Sequence, residues 1–173
     1  GGAQVRLPDP DRIAGYAASS LRMRRATLHD VLEIRRLIEP TAVAKLARAR
    51  DPDVVARLAQ IAVAQRYAKE DRARNQRHEL EFRRVLLESC DSEPLRLFGL
   101  VLDELINDQW AKIPDRLTTD RSVVAERERA ADAKLRVVDL ISEGKADEAE
   151  DAWTEYLKNV EVNILKSFNI FQF

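Results

Sequence analysis

The stretch ELEFRRVLLESC, residues 79–90, carries a helical pattern in which charged residues share a face with apolar ones. A period of 3.6 residues turns four apolar side chains towards a core: Phe82, Val85, Leu86 and Leu87. Glu79 and Arg83 fall on the same face, because together with Phe82 and Leu86 they follow the spacing i, i+3, i+4 and i+7. The pattern therefore predicts a buried helix and leaves a carboxylate and a guanidinium to be explained.

Other predicted helices repeat this feature. Three further polar side chains share an apolar helix face: Arg35, Lys134 and Tyr156. Burial of an unpaired charge is costly, so such groups survive where they pair, bind a ligand or face trapped water. A polar cluster inside a helical bundle is a common way to build a small-molecule or metal site. The alternative is that Glu79 and Arg83 form an exposed i, i+4 ion pair, worth about 0.3–0.5 kcal/mol.

The composition favours one all-α domain. The chain has 173 residues, of which 45% are hydrophobic, 6% are aromatic and only 5 are glycine, whereas Ala, Leu, Arg and Glu are abundant. The 29 basic and 30 acidic residues give a net charge of -1, which argues against this chain alone as a DNA binder. Its single cysteine, Cys90, excludes an intramolecular disulfide and fits a reducing cytoplasm.

Periodicity and capping signals predict an antiparallel bundle of about six to seven helices. The predicted helices are residues 10–23, one starting at TLHD (27–30), one starting at DPDV (51–54), residues 71–89, one following CDSEP (90–94) and ended by Pro114, residues 120–142 and residues 146–168. TLHD has the pattern of a capping box, and Gly144 is expected to follow a helix in a left-handed conformation. Several large apolar side chains are expected to face inward, among them Ile13, Tyr16, Leu21, Ile34 and Phe98.

The first ten residues, GGAQVRLPDP, differ from the rest of the chain. Alternating apolar and polar residues before Pro8 and Pro10 predict a short strand followed by a linker. We interpret this strand as the end of an upstream domain, although Gly1 and Gly2 also fit a cloning remnant. The predicted organisation is a strand remnant, linker and first helix in residues 1–25, a helical bundle in residues 26–168 and an apolar tail in residues 169–173.

Several classes of protein lack their sequence signals here. There is no signal peptide and no apolar run approaching about 18 residues, so we expect no membrane contact. The two histidines, His29 and His78, lie beside the apolar stripes, and no His/Cys spacing typical of zinc occurs. A glycine-rich phosphate loop and a G-x-S-x-G elbow are also absent from the sequence. We therefore expect a cytoplasmic protein that is not an enzyme, with no catalytic residue, metal or cofactor.

Four stretches carry a resemblance to a known family: GGAQVRLPDP (1–10), TLHDVLEIRRLIEPTAVAKLA (27–47), ELEFRRVLLESCDSEPL (79–95) and KLRVVDLISEGKADEAEDAWTEYL (134–157). In order and spacing the chain resembles the C-terminal ligand-sensing domain, or FCD domain, of GntR-family transcription regulators of the FadR subfamily. The first stretch resembles the end of a winged helix-turn-helix wing and its linker. The likeness covers about residues 1–165.

The resemblance implies a dimeric helical domain that binds a metabolite and controls an N-terminal DNA-binding domain, which is missing here. Many members hold a divalent metal with one Asp and three His. By spacing, those positions are Glu79, Arg83, Lys134 and Tyr156 in this chain. None of the three histidines is present, and Arg and protonated Lys offer no lone pair to a metal. The resemblance therefore favours the site and argues against the metal.

The expected ligand is a small organic acid or an acyl metabolite. Arg83 and Lys134 would hold its carboxylate or phosphate, with Arg35 as a third contact and Tyr156 as a hydroxyl donor. Glu79 would orient Arg83 and keep the empty site near neutral. Two alternatives stay open: the charges satisfy one another and plug a vestigial pocket, or they share no site. The chain would then be an all-α interaction and dimerisation module without a ligand.

Overall fold

The chain forms seven α-helices in the part that the structure, a computed structural model, describes. It describes residues 9–111 and 121–168, and the side chains of residues 9–107 and 121–163. The helices are α1 (Pro10–Met23), α2 (Leu28–Ala49), α3 (Pro52–Tyr67), α4 (Arg72–Glu88), α5 (Glu93–Ala111), α6 (Arg121–Glu143) and α7 (Ala146–Phe168). The predicted all-α bundle of about six to seven helices is confirmed. The predicted N-terminal strand, the stop at Pro114 and the tail 169–173 lie outside the described residues.

The helix starts follow from local side-chain chemistry. Asp9, Asp51 and Asp71 each accept a hydrogen bond from a backbone N–H in the first turn that follows. At α2 the Asp30 N–H donates to the Thr27 hydroxyl over 3.1 Å, and the Thr27 N–H donates to the Asp30 carboxylate over 2.7 Å. This is the reciprocal capping box that the sequence predicts. No described helix is long and apolar enough to cross a bilayer.

Helices α2 and α7 run antiparallel. Arg36 in the middle of α2 forms an ion pair with Glu161 in the second half of α7, and Arg48 near the end of α2 lies 3.8 Å from Asp147 at the start of α7. Helices α6 and α7 form a hairpin that turns at Gly144, whose φ of 75° is the left-handed conformation expected there. These pairings place the middle of several helices side by side at the centre of the bundle.

The apolar interior has two parts. The larger cluster combines side chains of α2, α3, α4, α6 and α7, with Leu58, Phe82 and Trp153 among its most buried members. The smaller cluster packs α1 and the start of α2 against α5. Arg35 lies on α2 between Val31 of the smaller cluster and the part of α2 that enters the larger one. Arg35 therefore enters the interior at the part of α2 that lies between the two clusters.

Some of the predicted inward faces are wrong. In α1 the buried residues are Ala14 and Ala18, packed in the smaller cluster with α5. Tyr16 instead exposes 70% of its surface, and Phe98 of α5 exposes 56%. Ile13, Leu21 and Ile34 are exposed as well. Helical periodicity identifies an apolar face, but α1 has two neighbouring apolar faces. The face with the small residues Ala14 and Ala18 packs against α5, because small side chains allow the two helices to approach closely.

Candidate functional site

Eight polar or charged side chains converge inside the bundle, and we refer to them as the polar centre. They are Arg35 and Glu39 of α2, Gln65 of α3, Glu79 and Arg83 of α4, Asp103 of α5, Lys134 of α6 and Tyr156 of α7. Seven are buried, whereas the side chain of Glu79 is 21% exposed. Six helices thus contribute to one interior polar site, which is costly to desolvate unless each group finds a partner.

The Glu79 carboxylate is the most highly bonded group of the polar centre. Gln65 Nε2 donates to Glu79 Oε2 over 2.9 Å, and the Tyr156 hydroxyl donates to Oε1 and Oε2 over 3.1 and 3.3 Å. Lys134 Nζ forms an ion pair with Oε2. Three side chains from three other helices therefore hold one carboxylate, and we call these donors, Gln65, Lys134 and Tyr156, the Glu79 cradle.

The ammonium group of Lys134 is buried among polar and aromatic side chains. Its side chain is 0% exposed. Besides Glu79, its ammonium donates to Gln65 Oε1 over 2.8 Å. The same nitrogen lies 5.4 Å from the ring centroid of Phe82 and 5.2 Å from that of Tyr156, both within cation–π range. The bundle thus holds a fixed cation deep in its interior, with one carboxylate as direct counter-charge.

Arg35 has a carboxylate of its own. Its Nε and Nη2 donate to the two Glu39 oxygens over 2.7 and 3.2 Å, one helical turn further along α2. Trp153 Nε1 donates to Glu39 Oε2 over 3.0 Å from α7. Such a two-pronged guanidinium–carboxylate pair is the strong, directional form of this interaction. Arg35 therefore faces the interior as predicted, but its hydrogen-bonding edge is occupied.

Arg83 does not pair with Glu79, and in this respect the prediction that Glu79 orients Arg83 is wrong. Arg83 Nε donates to Asp103 Oδ1 over 2.6 Å, and Nη2 forms an ion pair with the same oxygen. Both residues are buried, and the pair connects α4 to α5. The difference arises because Lys134 and Tyr156 approach Glu79 from α6 and α7, which leaves Arg83 to the carboxylate facing it on α5.

Electrostatics favour the ionised form of Glu79 and oppose that of Lys134. Burial disfavours the charged form of Glu79, but Lys134, Arg35 and Arg83 together hold its pKa well below the ordinary value of 4.5. Burial lowers the pKa of Lys134, and the attraction of Glu79 offsets only part of this effect. Lys134 is thus the member of the pair whose charge depends most on its partner.

The raised pKa values of Tyr156 and Arg35 keep both groups protonated. Burial and the neighbouring Glu79 charge raise the pKa of Tyr156 well above 10.0, so its hydroxyl remains a donor. Burial opposes the charge of Arg35, but Glu39 more than compensates and raises the pKa of Arg35. At neutral pH the Tyr156 hydroxyl and the Arg35 guanidinium therefore act as fixed hydrogen-bond donors.

The five sequence-predicted site residues all belong to this interior region. The structure brings Glu79, Lys134 and Tyr156 into direct contact, whereas Arg35 and Arg83 each bind a separate carboxylate. Their role in ligand binding stays a prediction. Three polar partners were missed, although each lies on or within an apolar pattern: Glu39, Gln65 and Asp103.

The donor set does not fit a divalent metal ion. Lys134 and Arg83 present protonated nitrogens, which have no lone pair for coordination and repel a cation. Glu79 offers a carboxylate, but Lys134 and two neutral donors occupy it. The described residues also contain no group of three His, Cys, Asp or Glu side chains arranged to hold a metal. The chemistry of this site is that of hydrogen bonding and ion pairing.

Comparison with known families gives a match to a domain family. The family model of the FCD domain matches residues 30–159, which include every residue of the polar centre. No curated protein and no solved structure matches the chain at a significant level.

Proposed function

Because the chain belongs to the FCD domain family, the C-terminal domain of GntR-family regulators, we propose that it is the effector-binding and dimerisation domain of a metabolite-responsive transcription regulator. We further propose that it belongs to the FadR subfamily and acts together with an N-terminal winged helix-turn-helix domain. DNA would be contacted only through that domain. The family is regulatory rather than catalytic, and the single buried thiol of Cys90 fits a cytoplasmic protein.

One observation carries this proposal: six helices direct polar side chains into the same interior site. Three are cations, Arg35, Arg83 and Lys134, and Tyr156 adds a hydroxyl donor. Such groups suit a carboxylate or phosphate, so we propose a small organic acid or an acyl metabolite as the effector, bound without a metal. A ligand that contacts several helices at once favours one arrangement of the bundle, which shifts the population of regulator conformations.

Thermal unfolding with a panel of organic acids and acyl compounds tests this function. A ligand specific for the folded state stabilises it by about 2.7 kcal/mol at 100 times its dissociation constant. The stabilisation is expected to be lost in Lys134→Met and kept in Lys45→Met, whose lysine lies outside the polar centre. Stoichiometric zinc, nickel or manganese in the purified protein would contradict the metal-free site.

The homodimer is a separate part of the proposal. Large apolar side chains are exposed on α1 and α2, among them Tyr16, Met23 and Leu37, and an exposed apolar surface of this kind suits a protein partner. Light scattering coupled to size exclusion is expected to give twice the 19.7 kDa chain mass. A monomer across the accessible concentration range would contradict a dimerisation domain.

A second candidate function follows from the ion pairs themselves. Each of the three buried cations already has a carboxylate partner, Glu39, Asp103 or Glu79. This arrangement suits a vestigial pocket in an all-α interaction module that binds no ligand. Failure of every compound in the panel to raise the unfolding temperature, with the dimer intact, would favour this candidate.

A further inference from the structure

We propose that Glu79 is an internal stand-in for the carboxylate of the effector, so that the ligand binds by taking the place of Glu79 on Lys134 and Tyr156. This inference rests on the proposed effector-binding function and adds how the site is kept closed without a ligand. It also explains why the most highly bonded group of the polar centre is a carboxylate.

The first support is the way in which Glu79 is held. All of its hydrogen-bond donors belong to other helices: Gln65 of α3, Lys134 of α6 and Tyr156 of α7. An ammonium, an amide N–H and a hydroxyl around one carboxylate form the kind of donor set that binds a free carboxylate ligand. The Glu79 cradle is thus a carboxylate-binding site whose present occupant is tethered to α4.

The second support is the direction in which this occupant can leave. Glu79 exposes 21% of its side chain, whereas Lys134 behind it exposes none. The other two carboxylates of the polar centre are enclosed more tightly: Glu39 is fully buried between Arg35 and Trp153, and Asp103 is buried against Arg83. Glu79 is therefore the carboxylate that can turn towards water and open the donors behind it.

The third support is the charge balance. The polar centre contains three cations and three carboxylates, each cation paired with one carboxylate. A further anion would leave an excess negative charge in a poorly solvated interior, which is strongly unfavourable. Exchange of Glu79 for a ligand carboxylate keeps the interior neutral, because Glu79 takes its charge to water. The exchange also breaks the bonds that Glu79 of α4 forms with α3, α6 and α7, which gives the protein a means to sense the ligand.

Rescue of a truncated side chain by acetate tests this inference. Glu79→Ala removes the tethered carboxylate and leaves the cradle for a free one. The unfolding equilibria of wild type, Glu79→Ala and the control Glu79→Ala/Lys134→Met are compared at pH 7 in sodium acetate and in sodium chloride of equal ionic strength. At nine times its dissociation constant, acetate is expected to raise the folded-to-unfolded ratio of Glu79→Ala about tenfold, with little effect on the other two proteins.

Two results of the acetate experiment would contradict the stand-in role of Glu79. An acetate effect of the same size on all three proteins, or none on Glu79→Ala, overturns the stand-in role and leaves Glu79 as a structural ion-pair partner. If Glu79→Ala does not fold in either salt, Glu79→Gln is used, because it keeps the shape of the side chain and removes its charge. Acetate is then expected to bind this variant at least about fivefold more tightly than wild type by calorimetric titration, and equal affinities overturn the inference.

These outcomes are separable from a failure of the proposed function. If no metabolite binds but acetate rescues Glu79→Ala, the Glu79 cradle is a carboxylate-binding site in a protein that does not sense the compounds of the panel. If an effector binds and its affinity is the same in wild type and Glu79→Gln, the sensor function holds and the stand-in role is wrong.

Discussion

The two residues of the Glu79–Lys134 ion pair differ in solvent exposure, so we expect their substitutions to differ in their effect on stability. Loss of Glu79 leaves a fully buried ammonium without its counter-charge, whereas loss of Lys134 leaves a carboxylate on a partly exposed side chain that keeps Gln65 and Tyr156 as donors. We expect Glu79→Ala to lower the free energy of unfolding by about 3–5 kcal/mol and Lys134→Met by about 1–2 kcal/mol, measured by urea denaturation.

A double variant serves as the control for this difference. Glu79→Leu/Lys134→Met removes both charges and fills much of the space with apolar atoms, so it is expected to recover most of the stability lost in Glu79→Ala. Equal losses of unfolding free energy in Glu79→Ala and Lys134→Met would show that the partial exposure of Glu79 does not affect the stability of the pair.

Glu79 also gives the stability a pH dependence with a definite sign. Burial alone would raise its pKa, but Lys134, Arg35 and Arg83 lower it below 4.5 in the folded state. A carboxyl group with a lowered folded pKa stabilises the fold above its unfolded pKa, and this contribution is lost as the pH falls towards the folded value. Between about pH 7 and pH 3, wild type is therefore expected to lose more unfolding free energy than Glu79→Gln in urea titrations. Parallel pH profiles would contradict this.

At the same scale, the sequence predicted which polar residues face inward better than it predicted their partners. Arg35, Arg83, Lys134 and Tyr156 are buried, as their positions on apolar stripes indicate. The partner of Arg83 is Asp103, which lies 20 residues away on another helix. Periodicity describes each helix by itself, and it contains no information on how one helix is rotated against the next. The relevant signal is Asp103, the first of two acidic residues inside the otherwise apolar run LVLDELI, residues 100–106.

Among the elements, the α6–α7 hairpin depends on its turn. Gly144 has a φ of 75°, and a Cβ at this position would lie 2.9 Å from Cδ of the Arg50 side chain. An L-residue in the left-handed region costs roughly 1–2 kcal/mol, and the flexible Arg50 side chain can move aside. We expect Gly144→Ala to lower the free energy of unfolding by about 1–2 kcal/mol in urea denaturation.

Gly15 provides the matched control for that substitution. It lies inside α1, has no positive φ, and a Cβ there would meet nothing within 4 Å. Ala is the better helix former by about 0.5–1 kcal/mol, so Gly15→Ala is expected to be neutral or stabilising. Destabilisation of the same size in both variants would argue against a specific role of the turn at Gly144.

Helix boundaries were the most predictable part of the fold. The predicted segments 10–23 and 146–168 agree with α1 and α7, because prolines, acidic caps and Gly144 act on the adjacent backbone directly. The inward face of α1 was less predictable. Its larger apolar residues indicated one face, but packing against α5 selected Ala14 and Ala18, and this choice depends on a helix about 80 residues further along the chain.

At the scale of the whole molecule, the polar centre takes its side chains from helices of two apolar clusters that share α2. The larger cluster contains α3, α4, α6 and α7, and the smaller one contains α1 and α5. The pair of Arg83 and Asp103 connects them through α4 and α5. A change in the bonding of α4 would therefore act on the larger cluster, which includes Phe82 and Leu86 of α4, and through Asp103 on α5 of the smaller one.

The pairing of every cation in the polar centre has a kinetic consequence. The buried charges cancel, and the chain as a whole carries a net charge of -1, so little field extends outwards to attract an anion. An acidic effector is therefore expected to reach the site by unassisted diffusion, with an association rate constant that changes less than about twofold between low and physiological salt in stopped-flow measurements. A steep fall of that rate with added salt would point instead to a charged surface that guides the ligand. In a regulator of this kind, the concentration of the metabolite and the opening of the site would set the speed of the response.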